Sequence, residues 1–248
     1  MIADTHVGQK RQTNQDSFVM RQLSRDAGFV VVCDGMGGER GGEVASVLAI
    51  DTVTAQLSRD LKPEMGELSV RRVLQCAAAA ANAAVCSKAA EHPELKGMGT
   101  TLCAAAVCGE MAHFVHAGDS RAYLLRDDLL TQLTTDHTVV QLLLDRGDIS
   151  RRDAQSHPQR HYITRAVGAA PDTQFDLFSI DLEPHDALLL CTDGLYNLMS
   201  HDDLAALTAI ALKKRSVAPL IDRANQNGGG DNITAALLCA DWEVRTHG

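Results

Sequence analysis

The sequence has little positive charge relative to its negative charge. Its 248 residues include 23 lysines and arginines against 32 aspartates and glutamates, which gives a formal net charge of −9 at pH 7. Proteins that bind nucleic acids normally carry a basic excess or a basic stripe, so this balance argues against a nucleic-acid partner. An acidic surplus is compatible with a site built from several carboxylates.

The chain also lacks the cysteine and histidine spacings of zinc sites and disulfide-rich domains. Its 7 cysteines and 10 histidines form no CxxC pair and no HExxH motif. Most of the cysteines lie in apolar, strand-like runs: Cys33, Cys103, Cys108, Cys191 and Cys239. Isolated cysteines in such runs predict reduced core residues in a cytoplasmic protein.

Long hydrophobic stretches are absent as well. The N-terminal segment MIADTHVGQKR has no apolar signal region, and no run approaches the ~20 residues that span a bilayer. The longest stretch of low polarity, CAAAAANAAVCSKAA, is interrupted by Asn82 and Lys88 and predicts a buried helix. With 45% hydrophobic residues, the chain is expected to form a single domain over 1–248 without a membrane partner.

Carboxylates follow several short apolar runs. Asp34 follows FVVVC, Asp119 follows HFVHAG, Asp193 follows ALLLCT, and Asp231 lies in GGGDN. Such runs are typical of strands in a sheet core, and a carboxylate at the end of a buried strand lies at the rim of the sheet. Each one alone could be an ordinary turn residue. Together they predict one site for a hard cation such as Mn²⁺ or Mg²⁺, assembled by folding.

Helical spacing follows the first of these carboxylates. Val44, Val47 and Leu48 share one face of a predicted first helix. A second apolar stripe over 70–81 predicts another helix, with Ser69 as its N-cap. We expect both faces to pack into the core.

Further along the chain, short strands alternate with paired helices. Strands are predicted at 102–108, 112–117, 121–125 and 233–240, and helices at 201–213 and 216–227. Close succession of the first three strands indicates antiparallel pairing. Runs of strands with helix pairs favour an α+β fold over a strict βα alternation.

A series of segments distributed along the chain resembles a known family. In chain order they are VGQKRQTNQDS, DGMGGERGGEVAS, MGTT, AGDSRAYLL, LTTDHT, ITRAVG, LLCTDGLYNLMS and GGGDNITAALL. In this order they resemble the metal-dependent protein Ser/Thr phosphatases of type 2C, the PPM family, and its small bacterial members in particular. The resemblance covers nearly the whole chain.

The resemblance implies a fold and a metal site. The fold is a four-layer α-β-β-α sandwich of two antiparallel sheets flanked by helix pairs, with the metal site at one end. Asp34 would bridge two core ions, Gly35 would bind one through its carbonyl oxygen, and Asp193 and Asp231 would bind the other. Asp119, together with Asp193, would bind a third, weaker ion; a plain turn residue is the alternative for Asp119.

Other residues around the implied site would assist it. Arg11 would bind the substrate phosphate with its planar guanidinium, and a solvent-facing arginine is the alternative. Asp16, Asn232 and Thr192 would orient ligands and waters. Gln15 stands where many relatives have glutamate, so it could hold a water but adds no charge.

The implied chemistry is in-line attack of a metal-activated hydroxide on a phosphoserine or phosphothreonine, with Arg11, Asp34 and Asp193 as catalytic residues. Met36 occupies the position at which animal members have a histidine thought to protonate the leaving alcohol. Methionine cannot donate a proton, so the sequence does not identify the general acid.

The polar segment 136–165 resembles the mobile flap beside the family's active site. Its cations include Arg146, Arg151, Arg152, His157, Arg160 and His161. They would help to bind a phosphorylated protein. A solvated surface loop with scattered charge is the alternative.

The sequence therefore predicts a cytoplasmic, monomeric protein Ser/Thr phosphatase, with phosphorylated proteins as substrates and a Ser/Thr kinase that it opposes as a partner. One alternative is a catalytically weak module that binds phosphoproteins or a kinase, and another is a phosphohydrolase for small molecules. Degenerate relatives usually lose metal carboxylates, so the presence of Asp34, Asp193 and Asp231 favours the enzyme.

Overall fold

The computed structural model describes residues 1–240, apart from the side chains of Glu39 and Gln155; positions 241–248 of the predicted domain lie outside the described residues. The strands are β1 (Ile2–His6), β2 (Asp16–Gln22), β3 (Ala27–Met36), β4 (Gly99–Thr100), β5 (Leu102–Cys108), β6 (Met111–Ala117), β7 (Arg121–Arg126), β8 (Leu129–Gln132), β9 (Asp176–Asp181), β10 (Ala187–Cys191) and β11 (Ile233–Cys239). The helices are α1 (Gly38–Asp60), α2 (Glu67–Glu91), α3 (Val139–Asp145), α4 (Arg151–Ser156), α5 (Asp193–Tyr196), α6 (His201–Lys214) and α7 (Ala218–Gln226).

The strands form two sheets in which every pairing is antiparallel. One sheet has the order β1-β11-β10-β7-β8, and the other has the order β2-β3-β5-β6-β9 with β4 beside the end of β3. Apolar side chains from the two inner faces share one buried cluster, which includes Val30 and Val32 of β3 with Leu188 and Leu190 of β10. The two sheets therefore pack face to face.

Each sheet is covered on its outer face by helices. Helices α1 and α2 share a buried cluster with β3 and β5, and α6 and α7 share another with β10 and β11. The layers follow the order helix pair, sheet, sheet, helix pair. The predicted α+β fold, a four-layer α-β-β-α sandwich, is confirmed.

The buried face of α1 matches the predicted one only in part. Val44 and Leu48 pack against the buried cluster, as predicted. Ala45, Ala49, Val53 and Leu57 are buried at a spacing of four residues, whereas Val47 is 45% exposed. The prediction favoured the larger aliphatic residues. Two small alanines instead let the helix lie close to the sheet, and the valine is left at the surface.

Helix α2 begins two residues before its predicted cap. Its first residue is Glu67 after Gly66, and the Ser69 amide donates to the Gly66 carbonyl, so the assignment of Ser69 as N-cap was wrong. Among residues 1–240, α2 is the one helix whose length and composition would suffice to cross a membrane. Leu74 and Val85 lie on its buried face, within the cluster shared with α1 and the sheet.

Candidate metal centre

Two of the predicted site carboxylates lie opposite each other on neighbouring strands. Asp16, the first residue of β2, is in register with Asp34 near the end of β3. The backbone around Asp34 is fixed by two threonines: its amide donates to Thr101 Oγ1 at 2.8 Å, and its carbonyl accepts from Thr100 Oγ1 at 2.9 Å. The two residues are therefore paired across β2 and β3, and both carboxylates lie at the same end of the sandwich.

The other sheet contributes two more carboxylates. Asp193 directly follows Thr192 at the end of β10 and begins α5, and Asp231 lies two residues before β11. Strands β10 and β11 are neighbours, so the two aspartates meet at one edge of the sheet. The approach is close because Gly194 has no side chain: a Cβ there would overlap the Asn232 carbonyl oxygen.

We expect Gly194→Ala to destabilise the protein by about 1–3 kcal/mol, because the added methyl group would push β11 away from α5. The helical backbone at Gly194 has no positive φ, so the effect would come from overlap and not from backbone strain. Urea unfolding in the presence and absence of Mn²⁺ would measure it. Gly66→Ala is the matched control, since a Cβ there meets nothing within 4 Å. A free energy of unfolding equal to that of the control would contradict the close-approach argument.

The charges of the predicted ligands act on one another. Burial raises the pKa of Asp34 well above its ordinary range, and the negative charges of Asp16, Asp193, Asp119 and Asp231 raise it further. Burial likewise raises the pKa of Asp16 to about 7 and that of Asp193 to about 6. The structure therefore brings together five acidic side chains that the sequence spreads over more than 200 positions.

This cluster fits divalent cations. Several buried carboxylates without matching cations are costly, because each charge loses its hydration and repels the others. Hard ions such as Mn²⁺ and Mg²⁺ prefer oxygen ligands of this kind. One acceptor, Asp16 Oδ1, is buried without a hydrogen-bond partner among the described residues, as expected beside a hydrated ion.

The second oxygen of Asp16 is held by two hydroxyl groups. Thr192 Oγ1 donates to Asp16 Oδ2 at 2.8 Å, and Thr234 Oγ1 donates to it at 2.7 Å. Thr192 was predicted from the sequence to assist the site, and Thr234 was not. The position of Thr234 could have indicated this role, because it lies on the strand that follows Asp231 and its side chain is on the same face as that of Asn232.

Asn232 ties the segment before β2 to the site. Its Oδ1 accepts from the Gln15 amide at 2.8 Å, and its Nδ2 donates to the carbonyls of Val7 and Thr13, each at 2.9 Å. The side chain of Gln15 is directed to the start of α1, where Nε2 donates to the Gly38 carbonyl at 2.8 Å. These bonds hold the segment that carries Arg11 against the site.

Arg11 lies at the cluster. Its Nη2 donates to Asp231 Oδ2 at 2.7 Å, and its side chain is 53% exposed. The hydrogen bond to Asp231 raises the pKa of Arg11, and the charges of Asp34 and Asp193 add to this effect. The guanidinium is therefore at the open side of the acidic cluster.

The comparison with protein families decides the classification. A model of the protein phosphatase 2C family matches residues 4–238. The chain belongs to the protein phosphatase 2C family. The predicted membership is confirmed, and the acidic cluster is the feature expected in a family of metal-dependent phosphatases.

Several bacterial relatives of this protein phosphatase 2C member are similar over nearly its whole length. The serine/threonine phosphatase stp of Listeria monocytogenes is 35% identical over 244 residues, which are 96% of this chain and 94% of the relative. The crystal structure of the Mycobacterium tuberculosis phosphatase PstP/Ppp has 37% identity and a TM-score of 0.84, with 97% of both chains covered. The catalytic domain of PstP in complex with 2 manganese ions has 34% identity and a TM-score of 0.81, covering 96% of this chain and 97% of that one.

In this phosphatase, the loop that carries Asp119 is held through its backbone. The Tyr196 hydroxyl donates to the Asp119 carbonyl at 2.9 Å, and the Arg121 guanidinium lies 3.6 Å from the centre of the Tyr196 ring. Arg121 forms two hydrogen bonds with Asp136, at 2.8 and 2.6 Å. Burial and the charge of Asp193 raise the pKa of the Asp119 carboxyl to about 7, so the structure brings Asp119 next to Asp193.

The segment 136–165 of this phosphatase contains two short helices, α3 and α4, in place of an irregular loop. A bridge between Thr138 and Ile163 joins its two ends. Burial and the charge of Asp231 raise the pKa of Asp193, and the charge of His161 partly offsets this by lowering it. The C-terminal end of the segment is therefore close enough to Asp193 for the charges of the two residues to interact.

Proposed function

We propose that this protein hydrolyses phosphoserine and phosphothreonine on proteins. The observation that carries the proposal is the cluster of Asp34, Asp193 and Asp231 beside the guanidinium of Arg11, at the open end of the sandwich. An acidic cluster can hold the cations, and the adjacent arginine can bind the anionic substrate. Relatives with 35% identity or more that are named serine/threonine phosphatases support the same reaction class.

Two core ions, Mn²⁺ or Mg²⁺, would be held by Asp34, the Gly35 carbonyl, Asp193 and Asp231. Bound ions of this kind supply an activated water near neutral pH. Manganese in the related PstP catalytic domain supports this assignment. The third, weaker ion belongs to the proposal as well, with Asp119 and Asp193 as its ligands.

The side chains around the ions have positioning roles in the proposal. Asp16, fixed by Thr192 and Thr234, presents its free oxygen Oδ1 to a water in the site. Asn232 and Gln15 fix the loop before β2, and they thereby fix the position of Arg11 relative to the acidic cluster. When the ions bind, Arg11 would give up its hydrogen bond with Asp231, which would become a metal ligand. The planar guanidinium would then donate to two oxygens of the substrate phosphate and stabilise the negative charge that develops in the transition state.

The proposal also covers the setting of the enzyme. Residues 1–248 would act as one catalytic domain with a flap over 136–165, in a monomeric cytoplasmic protein that reverses a Ser/Thr kinase. The basic residues of the flap would contact the phosphorylated protein, since the C-terminal end of this segment is near Asp193.

The proposal is tested by adding metals back to a chelated enzyme. We expect the chelated protein to be inactive on a phosphothreonine peptide, and Mn²⁺ or Mg²⁺ to restore turnover while Zn²⁺ does not, because an all-oxygen site favours the harder ions. Phosphate release and p-nitrophenyl phosphate hydrolysis are measured in parallel. Metal binding without turnover of either compound would favour the catalytically weak regulatory module. Turnover of p-nitrophenyl phosphate alone would favour a small-molecule phosphohydrolase.

A further inference from the structure

The two ends of the flap are joined side by side. The amide of Val139 donates to the Tyr162 carbonyl at 2.9 Å, and the amide of Thr164 donates to the His137 carbonyl at 2.7 Å. These bonds lie on either side of the bridge between Thr138 and Ile163. We call the segments 137–139 and 162–165 the flap stem.

Asp176, the first residue of β9, binds both halves of the flap stem. Its Oδ2 lies 3.0 Å from His137 Nε2, and its Oδ1 accepts from Arg165 Nη1 at 2.8 Å. His137 belongs to the segment 137–139 of the flap stem, and Arg165 belongs to the segment 162–165. Burial would raise the pKa of the Asp176 carboxyl, but His137 and Arg165 together lower it, as expected for a carboxylate with two donors.

The hydrogen bonds also determine which nitrogen of His137 carries the proton. The Gly118 amide donates to His137 Nδ1 at 3.2 Å, so Nδ1 is an acceptor, and in the neutral ring the proton is on Nε2 and is donated to Asp176. The contact of 3.1 Å between Nε2 and Arg165 Nη1 is then not a hydrogen bond, since both atoms are donors. The His137 amide donates in turn to the Gly118 carbonyl at 2.8 Å. His137 therefore links the flap stem to the residue that precedes Asp119.

The same place has the composition of a metal site, because ligand atoms of His116, His137 and Asp176 lie within 4.8 Å of one another. The proton positions disfavour that reading. A metal on His137 would need a nitrogen without a proton, but Nε2 donates to Asp176 and Nδ1 is occupied by the Gly118 amide. Arg165 Nη1, at 3.1 Å from His137 Nε2, adds a positive charge at the same point.

We propose that Asp176 is a positioning residue that fixes the flap stem, through His137 and Arg165, so that the basic flap presents a phosphoprotein to the metal cluster. The proposal rests on the proposed function for its substrate. A small aryl phosphate has no peptide segment for the basic residues of the flap to bind, so we expect it to need the metal cluster and Arg11 but not the flap stem. The role of Asp176 should therefore appear with peptides and not with small substrates.

The test is Asp176→Asn, with Asp172→Asn as the matched control, since Asp172 is exposed and lies in the turn before the same strand. We expect the KM for a phosphothreonine peptide to rise about fivefold or more with kcat nearly unchanged. The reason is that the variant weakens the binding of the peptide by the flap but removes no contact that is made only in the transition state. Both constants for p-nitrophenyl phosphate should stay within about twofold of wild type. Equal losses on both substrates, or no change on either, would overturn the proposal.

A second variant separates the contact with Asp176 from the contact with Gly118. In His137→Asn the amide oxygen stands where Nδ1 was and can still accept from Gly118, but the side chain no longer reaches Asp176. We expect a rise in KM no larger than that of Asp176→Asn, because the contact between Arg165 and Asp176 remains. The double variant should show no rise beyond that of Asp176→Asn, because the contact with His137 is already lost there. Additive effects would overturn the proposal.

NMR of the wild type and variants gives a readout that does not depend on substrate. The ¹⁵N shifts of His137 should show the Nε2–H tautomer, and the amide signal of Gly118 should move in Asp176→Asn but not in Asp172→Asn. If the wild type cleaves p-nitrophenyl phosphate but no phosphopeptide, the proposed function fails while these signals still test the flap stem. Stoichiometric Co²⁺ binding at His137, abolished by Asp176→Asn, would overturn the proposal in favour of a metal site.

Discussion

Asp193→Asn is expected to lower kcat/KM for a phosphothreonine peptide by about 10³-fold or more, because it would remove a charged ligand from the proposed ions that activate water. The substitution keeps the size of the side chain and its bond with Asn197, whose Nδ2 donates to Asp193 Oδ2 at 3.0 Å. Steady-state kinetics in excess Mn²⁺ measures the effect. Normal turnover in excess Mn²⁺ would rule out the assignment of Asp193 as a ligand.

The same variant should change stability in opposite directions with and without metal. Burial and the charge of Asp231 raise the pKa of Asp193 to about 6. The side chain is therefore ionised at pH 7.5, and its buried charge lowers the free energy of unfolding of the metal-free protein. The folded-state pKa lies above the unfolded value, so this cost is absent at low pH and grows as the pH rises through the folded-state pKa. At pH 7.5 the metal-free variant should melt at or above the wild-type temperature, and Mn²⁺ should raise its Tm less. Asp222→Asn, on the exposed face of α7, is the control and should behave as wild type in both respects.

Features that depend on local pattern could be predicted from the sequence. The run 102–108 was predicted as a strand and forms β5 with the same limits, because its residues are apolar and are bounded by turns. The position of Asp34 and Asp193 at the ends of buried strands followed from the same rule. The sandwich of two antiparallel sheets did not follow from local pattern and was implied by the family resemblance, and the order of the strands within each sheet was not predicted.

Features that depend on distant pairing could not be predicted. Asp16 is held by Thr234, which is 218 positions away in the chain, and no spacing rule connects the two. The link from Arg121 to Tyr196 likewise requires β7 and α5 to be neighbours. The predicted face of α1 was wrong at Val47 for a related reason: close helix–sheet packing, and not side-chain size alone, decided that Ala45 is buried and Val47 exposed.

The acidic cluster also depends on the packing of the two sheets against each other. Asp34 comes from one sheet and Asp193 from the other, so neither sheet alone can assemble the predicted ligand set. Thr192 and Thr234 of one sheet hold Asp16 of the other, which joins the two sheets by buried hydrogen bonds. Such bonds in a region of low dielectric fix relative positions more firmly than apolar contact alone.

Arg11→Ala is expected to lower kcat/KM for the phosphothreonine peptide by about 10²-fold, since it removes a donor to the developing phosphate charge. Arg11→Lys should recover only part of the loss, because an ammonium group keeps the charge but lacks the planar fork that binds two oxygens. Stability should change little, since the side chain is 53% exposed and exposed ion pairs contribute little. Lys10→Ala, at the neighbouring exposed position, is the matched control.

The dependence on Mn²⁺ separates a phosphate-binding Arg11 from a residue that only supports the ions. In this structure Arg11 holds Asp231 Oδ2 at 2.7 Å, so the guanidinium competes with a cation for that oxygen. Its removal should leave Mn²⁺ binding unchanged or tighter, while inhibition by inorganic phosphate becomes weaker. Calorimetric titration with Mn²⁺ and inhibition by phosphate measure the two effects. Weaker Mn²⁺ binding in Arg11→Ala, with phosphate inhibition unchanged, would show that Arg11 acts through Asp231 and not on the substrate.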